Sequence, residues 1–197
     1  PILLEVASPQ DGKIDRLSPY HFLRPLHLTK LTLDVRVDEV RDLIVQNDLS
    51  VLDGTKPFQP FGFQPKVGSN FYIGSQEVFQ KPLTELGIKF TLEQKKPEKW
   101  SEIYAGYGVN ENNQLNGKKF DPGSLKIEAL RQKAWNSASG NNINLFDAQS
   151  ISLNEQLENL KLQNFTNVDQ LEEWTPQSQN GFLRLQLTKS FLHEQYA

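Results

Sequence analysis

Alternation of apolar and polar residues at a period of two constrains this chain more than any other feature. Lys30–Val37 reads KLTLDVRV, with Leu31, Leu33, Val35 and Val37 on one face and Thr32, Asp34 and Arg36 on the other. Successive side chains of an extended strand point to opposite faces, so the pattern predicts a half-buried β-strand. Gly181–Thr188 (GFLRLQLT) repeats it with Leu183, Leu185 and Leu187, and Gly87–Glu93 (GIKFTLE) with Ile88, Phe90 and Leu92. Shorter strand candidates are Ile2–Val6, Leu43–Gln46, Asn70–Ile73, Glu102–Tyr107, Leu125–Leu130 and Ile143–Phe146. Asp11-Gly12, Asp53-Gly54, Asn116-Gly117 and Asn180-Gly181 are dipeptides that reach positive φ at low cost. Asn116-Gly117 is the best hairpin candidate, between the 102–107 and 125–130 runs. Short strands at this turn spacing predict a mainly β fold, an antiparallel sandwich-like domain with one or two short inserted helices.

Helical signals are few. Ser75 precedes Gln76–Gln80, and Pro82 stops anything longer than about two turns. Ser152–Leu162 reads two ways. Ser152 and Glu155 have capping-box spacing, with Leu153, Leu157 and Leu160 at i, i+4 and i+7, which favours a helix; two short strands, Ile151–Leu153 and Leu160–Leu162, are the rival. Thr166 and Asp169 offer a second capping box for a short turn ending at Trp174. Two stretches fit neither period. Lys56–Gly68 (KPFQPFGFQPKVG) holds three Pro, two Gly and three Phe, and proline removes donors and restricts its neighbours. It predicts an ordered loop pinned by Phe58, Phe61 and Phe63. Asn136–Asn144 is a polar loop.

Composition narrows the function. The 197 residues suit one to two domains of about 150 residues, and the net charge of −3 argues against a general nucleic-acid binder. No apolar run of about 20 residues is present to span a membrane. Zero Cys excludes thiolate nucleophiles, disulfides and cysteine-ligated metals. Zero Met, position 1 included, reads as a β-rich segment cut from a longer multi-domain chain, with 95–174 as a candidate inserted lobe.

The search for chemistry returns no catalytic constellation. His21 and His27 sit beside Pro19 and Pro25, His193 is near the C-terminus, and no Ser occupies a G-x-S-x-G elbow. Metal-binding histidine spacings and a Walker loop are missing, and Asn110–Gly117 lacks acids at calcium-ligand positions. No catalytic residue, metal or cofactor is expected. Trp100, Trp135 and Trp174, with Tyr72, Tyr104 and Tyr107, read as core or interface aromatics, against a sugar-stacking platform.

Pro57–Glu93 carries a specific pattern: a Pro-Phe-Gly approach (Pro60, Phe61, Gly62), a glycine-bounded strand (Gly68, Ser69, Phe71, Tyr72, Ile73, Gly74), a short Glu-x-Phe-x-Lys helix (Glu77, Phe79, Lys81) and an amphipathic strand. It resembles a segment of the baseplate J-like and wedge-type proteins of contractile injection systems, the phage-tail-like particles. The Leu31–Val37 strand and Asn47-Asp48 fit the same layout, and Asn180–Leu185 resembles the strand that closes such a module. The resemblance implies a structural role without enzymatic activity. It implies a six-fold ring of wedges around a hub or spike, coupled to the sheath, with a second wedge protein and a sheath adaptor as partners, and assembly in the cytoplasm. No nucleic acid and no membrane insertion are expected. Candidate interface residues are Phe58, Pro60, Phe61, Phe63, Pro65 and Lys66, because a Pro-fixed loop loses little entropy on docking and exposed Phe supplies anchors. The competing reading turns the three Phe inward to plug the open end of the sandwich. Tyr72 and Phe79 are expected in the core. Two other functions stay open: a carbohydrate-binding β-sandwich of an adhesin or tail fibre, marked by coplanar exposed rings, and a small hydrolase, marked by two acids in a deep cleft.

Overall fold

The computed structural model describes residues 37–93, 98–138, 143–146 and 150–192. The chain divides at Glu39–Val40, and the architecture that follows is that of the unit Val40–Ala197. Strands and helices are numbered in chain order. Six strands form a row: β2 (Val51–Leu52), β1 (Ile44–Asn47), β3 (Asn70–Gly74), β11 (Phe182–Leu187), β7 (Ser124–Arg131) and β8 (Ala134–Ser137). With β9 (Ile143–Asn144), which also pairs with β7, they make a seven-stranded sheet, and every pairing in it is antiparallel. Two smaller sheets pair β4 (Gly87–Lys89) with β10 (Ser150–Ser152) and β5 (Gln114–Leu115) with β6 (Lys118–Lys119). Two short helices, α1 (Gln76–Phe79) and α2 (Ser101–Tyr104), are inserted. The fold is mainly β and antiparallel, as the alternation predicts.

β11 lies between β3 and β7, and its period sets both faces of the sheet. Leu183 stands opposite Ile73 and Ala129, Leu185 opposite Phe71 and Ile127, and Leu187 opposite Leu125. All of these point into one buried core. The second layer over that core is Ile151 of β10, the partly buried Ile88 of β4, and Leu153, Leu157, Leu160 and Leu162, the four leucines being almost without exposure. A second cluster gathers Trp100, Tyr104, Val109, Phe120 and Leu192, with Trp100 and Phe146 meeting edge to face at 5.3 Å.

Several local expectations hold. Ser75 caps α1 by accepting from the Val78 amide at 3.3 Å. Asn116-Gly117 takes positive φ of 52° and 75° and turns a hairpin. That hairpin joins β5 to β6, not the 102–107 and 125–130 runs. Gly181 sits at φ 91° ahead of β11.

Other expectations are corrected. Glu102–Tyr107 is helical, α2 running on into a 3-10 turn at Ala105–Tyr107. Trp100, Tyr104 and Tyr107 are spaced i, i+4 and i+7, and that face packs in the second cluster. The 152–162 capping box does not build a helix. β10 ends at Ser152, and a single 3-10 turn follows at Asn154–Gln156. The backbone there bonds elsewhere: the Leu153 amide donates to the Leu86 carbonyl at 2.8 Å, and the Leu83 amide to the Leu162 carbonyl at 2.9 Å. Thr166–Trp174 forms no helix, because the Thr166 amide donates to the Gln80 carbonyl at 3.2 Å and the Trp174 amide to Gln46 Oε1 at 2.8 Å. β4 keeps only the first three residues of Gly87–Glu93. The Ile2–Val6 strand, positions 30–36 of the Lys30–Val37 strand, Asp11-Gly12 and the three His lie outside the described residues.

One contact tests this packing. The Phe182 ring lies across Gly74, its cross-strand neighbour, and a Cβ at Gly74 would stand 2.5 Å from Phe182 Cε1. Phe182 is itself buried and cannot retreat. Gly74→Ala is expected to cost about 2 kcal/mol, read as a lower urea midpoint at unchanged slope, and Phe182→Leu in the same chain should recover part of it. An unchanged midpoint for Gly74→Ala contradicts this packing.

Candidate functional site

The loop between β2 and β3 starts as a rigid turn. The Asp53 carboxylate accepts from the Thr55 amide at 3.0 Å and hydroxyl at 2.6 Å, and it pairs with Lys56 at 2.9 Å. Buried Asn47 ties the loop to the β1–β2 hairpin. Its Oδ1 accepts from the Leu49 and Ser50 amides at 2.9 Å, and its Nδ2 donates to the Gln59 carbonyl at 3.4 Å. The Gly62 amide closes a turn onto Gln59 at 3.1 Å, with Gly62 at φ 77°. At the far end the Gly68 amide donates to the Leu187 carbonyl at 2.8 Å, and the Leu187 amide to the Ser69 carbonyl at 2.9 Å. Pro57, Pro60 and Pro65 fix φ between these anchors. A loop held at both ends and braced by proline has little conformational entropy left to lose.

The three Phe of this loop divide. Phe58 and Phe61 both pack on the buried ring of Phe71, with centroids 5.7 Å and 6.2 Å away. Phe61 is half-buried against the main core, while Phe58 keeps 38% of its surface. Phe63 points outward and is 78% exposed. Leu49, at the hairpin tip, is 81% exposed, with its Cδ1 3.2 Å from where a Gly62 Cβ would stand. Val67 and Val51 are exposed as well. Pro60 and Pro65 are half-buried, and Lys66 is exposed. The expectation that all three Phe pin the loop is therefore corrected: two do, and Phe63, next after the turn closed by Gly62, stands out in solvent.

The neighbouring motif residues fall into structural places. Phe71, Ile73 and Phe79 are in the main core, Tyr72 is buried on the opposite face of the sheet, and Gly74 lies under Phe182. Gly68 occupies φ 92°, and Glu77 pairs with Lys81 across one turn at 3.3 Å.

That opposite face carries a network that the sequence reading misses. Gln46, Tyr72, Arg184, Glu128 and Ser137 form one cross-strand row. Arg184 donates through Nε and Nη2 to Glu128 Oε2 at 2.9 and 2.5 Å, and Lys126 reaches Glu128 Oε1 at 2.8 Å. The Arg184 guanidinium also lies 4.3 Å from the Trp135 ring centroid. Tyr72 stacks on Trp174 at 4.3 Å and 7°, and Gln46 bonds both the amide and the carbonyl of Trp174. Burial and the Asp48 charge push the Tyr72 phenol above its usual range. The signal is present in GFLRLQLT, whose alternation puts Arg184 and Gln186 opposite the leucines. Trp135 is tilted by 45° to Tyr72 and 47° to Trp174, and Trp100 is buried in the second cluster, so these rings form packed groups and no coplanar platform.

Among the described residues no group of three or more His, Asp or Glu is placed to hold a metal ion, and no helix is long and apolar enough to cross a membrane. A shallow open groove beside α2 is lined by Lys99, Ser101, Glu102, Ala105, Val109, Asn110 and Glu111. Its two acids are exposed. A comparison with protein-family models and with curated proteins found no match.

The Glu128 network makes stability depend on pH. Burial pushes the Glu128 carboxyl up, but the hydrogen bonds and charges of Lys126 and Arg184 outweigh it and hold the group below its ordinary 4.5. A lowered native value contributes stability that is present above the unfolded value and lost as pH falls through the native one. Stability should therefore decline as pH drops below about 4.5. Glu128→Gln should remove that part of the decline and cost about 2 kcal/mol at pH 7, measured by urea unfolding across the range. An acid limb identical in the variant contradicts this role.

Proposed function

We propose that this chain is a structural module of the baseplate of a contractile injection particle. It makes protein–protein contacts in the wedge ring around the hub, couples that ring to the sheath, and performs no catalytic step. The assembly is suggested by the resemblance over Pro57–Glu93. The observation that carries the docking role is Phe63: a large apolar side chain 78% exposed on a loop whose backbone is braced by prolines and anchored through Phe58 and Phe61. An aromatic presented on a pre-organised loop docks at low entropic cost, and such anchors supply most of the affinity of an interface. Leu49 beside it widens the apolar surface.

Two substitutions in the full-length protein separate docking from folding. Phe63→Asp should leave the melting temperature within about 1 °C while weakening incorporation into the particle about 30-fold or more, scored by the chain's occupancy in purified particles. Phe61→Ala removes a partly buried ring and should lower stability by about 2 kcal/mol. Particles that incorporate Phe63→Asp as well as the wild type overturn the role of the loop. Electron microscopy of the native particle in which this chain is not part of a six-fold ring overturns the assembly.

A further inference from the structure

β7 ends on a cation placed where the alternation calls for a core residue. Leu125, Ile127, Ala129 and Arg131 share its core-facing side, and Arg131 is only 5% exposed. Its Nη1 donates to the Phe79 carbonyl at 2.7 Å, at the end of α1. Its Nε and Nη2 are buried and have no hydrogen-bond partner among the described residues. Burial lowers the guanidinium below its ordinary value, the direction expected for a charge taken from water.

A second arginine in the same sheet shows what that edge is built to hold. Arg184 uses the same two atoms, Nε and Nη2, and both donate to one oxygen of the Glu128 carboxylate, Oε2. The side-on edge of a guanidinium presents two parallel N–H bonds that match a carboxylate. On Arg184 the edge is filled; on Arg131 it is open. Leaving such donors buried and unpaired is unfavourable, so their presence at the rim of the core needs a partner chemistry. Two turns cover Arg131: Gln132–Lys133, exposed and tied by the Gln132 amide to Asn180 Oδ1 at 2.8 Å and the Lys133 amide to the Gln179 carbonyl at 3.0 Å, and half-buried Gln80 with the exposed Lys81 and Pro82, tied by the Thr166 amide to the Gln80 carbonyl at 3.2 Å.

We propose that the Nε–Nη2 edge of Arg131 is the receptor for a carboxylate carried by a partner protein, an Asp or Glu side chain that docks at this end of the sheet when one of the two turns moves aside. The proposal rests on the reading of the chain as a docking module, and it places a second, polar contact away from the Phe63 loop.

Sodium acetate serves as the probe, replacing chloride at constant ionic strength and pH 7 with the chain in solution. At ten times its dissociation constant, acetate should raise the wild-type melting temperature by about 4 °C and leave Arg131→Met unmoved. In chloride alone Arg131→Met should melt about 4 °C higher than wild type, because an apolar side chain replaces an unpaired buried charge. Arg131→Lys keeps the charge but loses the fork, and its acetate response should fall by at least half. If Arg131→Met does not fold, this variant decides. An acetate response equal in wild type and variants, or none in wild type, overturns the receptor. The source of the carboxylate is read in the particle, where Arg131→Met should reduce incorporation about 10-fold. Normal incorporation with an intact acetate response leaves a free anion as the ligand and overturns the partner. Neither result depends on whether the particle is a six-fold baseplate, which microscopy tests separately.

Discussion

The pairing of β11 with β3 on one side and β7 on the other is the interaction on which the rest of this structure depends. Because the side-chain period of a strand is two, one register fixes both faces of the sheet at once. It sends Leu183, Leu185 and Leu187 into the core, sets Arg184 opposite both Tyr72 and Glu128, and brings Phe182 over Gly74. A slip by one residue would bury Arg184 and Gln186 and expose the leucines. The outer face reinforces the choice, since Lys126 shares a strand with Glu128 but Arg184 reaches the carboxylate only in this register. A buried carboxylate that loses its arginine partner on a slip penalises the slipped register.

The same register builds the platform for the Pro-Phe loop. Phe71 lies between β1 and β11, and its ring receives Phe58 and Phe61. Gly68 and Ser69 then lock the loop's exit onto Leu187. The loop thus adds Phe58 and Phe61 to the ring of Phe71 at the edge of the core and leaves Phe63 outside. Its three aromatics differ in burial, not in kind. Phe61 faces the core, Phe58 straddles the boundary, and Phe63 belongs to the surface.

Legibility from the sequence follows the range of the forces involved. β7 and β11 are readable because alternation is local and strong, β3 because it is a short apolar run bounded by glycines, and Ser75 and Asn116-Gly117 because caps and turns act within a few residues. The failures come where a distant partner decides the backbone. The leucines of 153–162 have helical spacing, but at the two ends the Leu153 amide bonds Leu86 and the Leu162 carbonyl bonds Leu83, and the segment between winds as separate turns. Trp174 is held by Gln46, 128 positions away, and no local pattern encodes that. Glu102–Tyr107 reads as a strand because a window opening at Glu102 omits Trp100, the first residue of the helical face. At the candidate site the sequence identifies the loop and its composition. It does not separate Phe63 from Phe58 and Phe61, because the spacing of the three says nothing about which side of the loop lies on Phe71. Arg131 escapes a sequence reading because its isolation depends on what surrounds it.

The central claim is that the braced loop presents Phe63 to another protein. Replacing Phe63 with a photoreactive benzophenone amino acid in the full-length chain, assembling the particle and irradiating it tests this most directly. A covalent adduct between position 63 and a second protein of the particle is expected, with the same group at the core-facing position 61 giving only internal products. Incorporation of the chain with no intermolecular adduct from position 63 would contradict the claim and return the loop to a purely structural role.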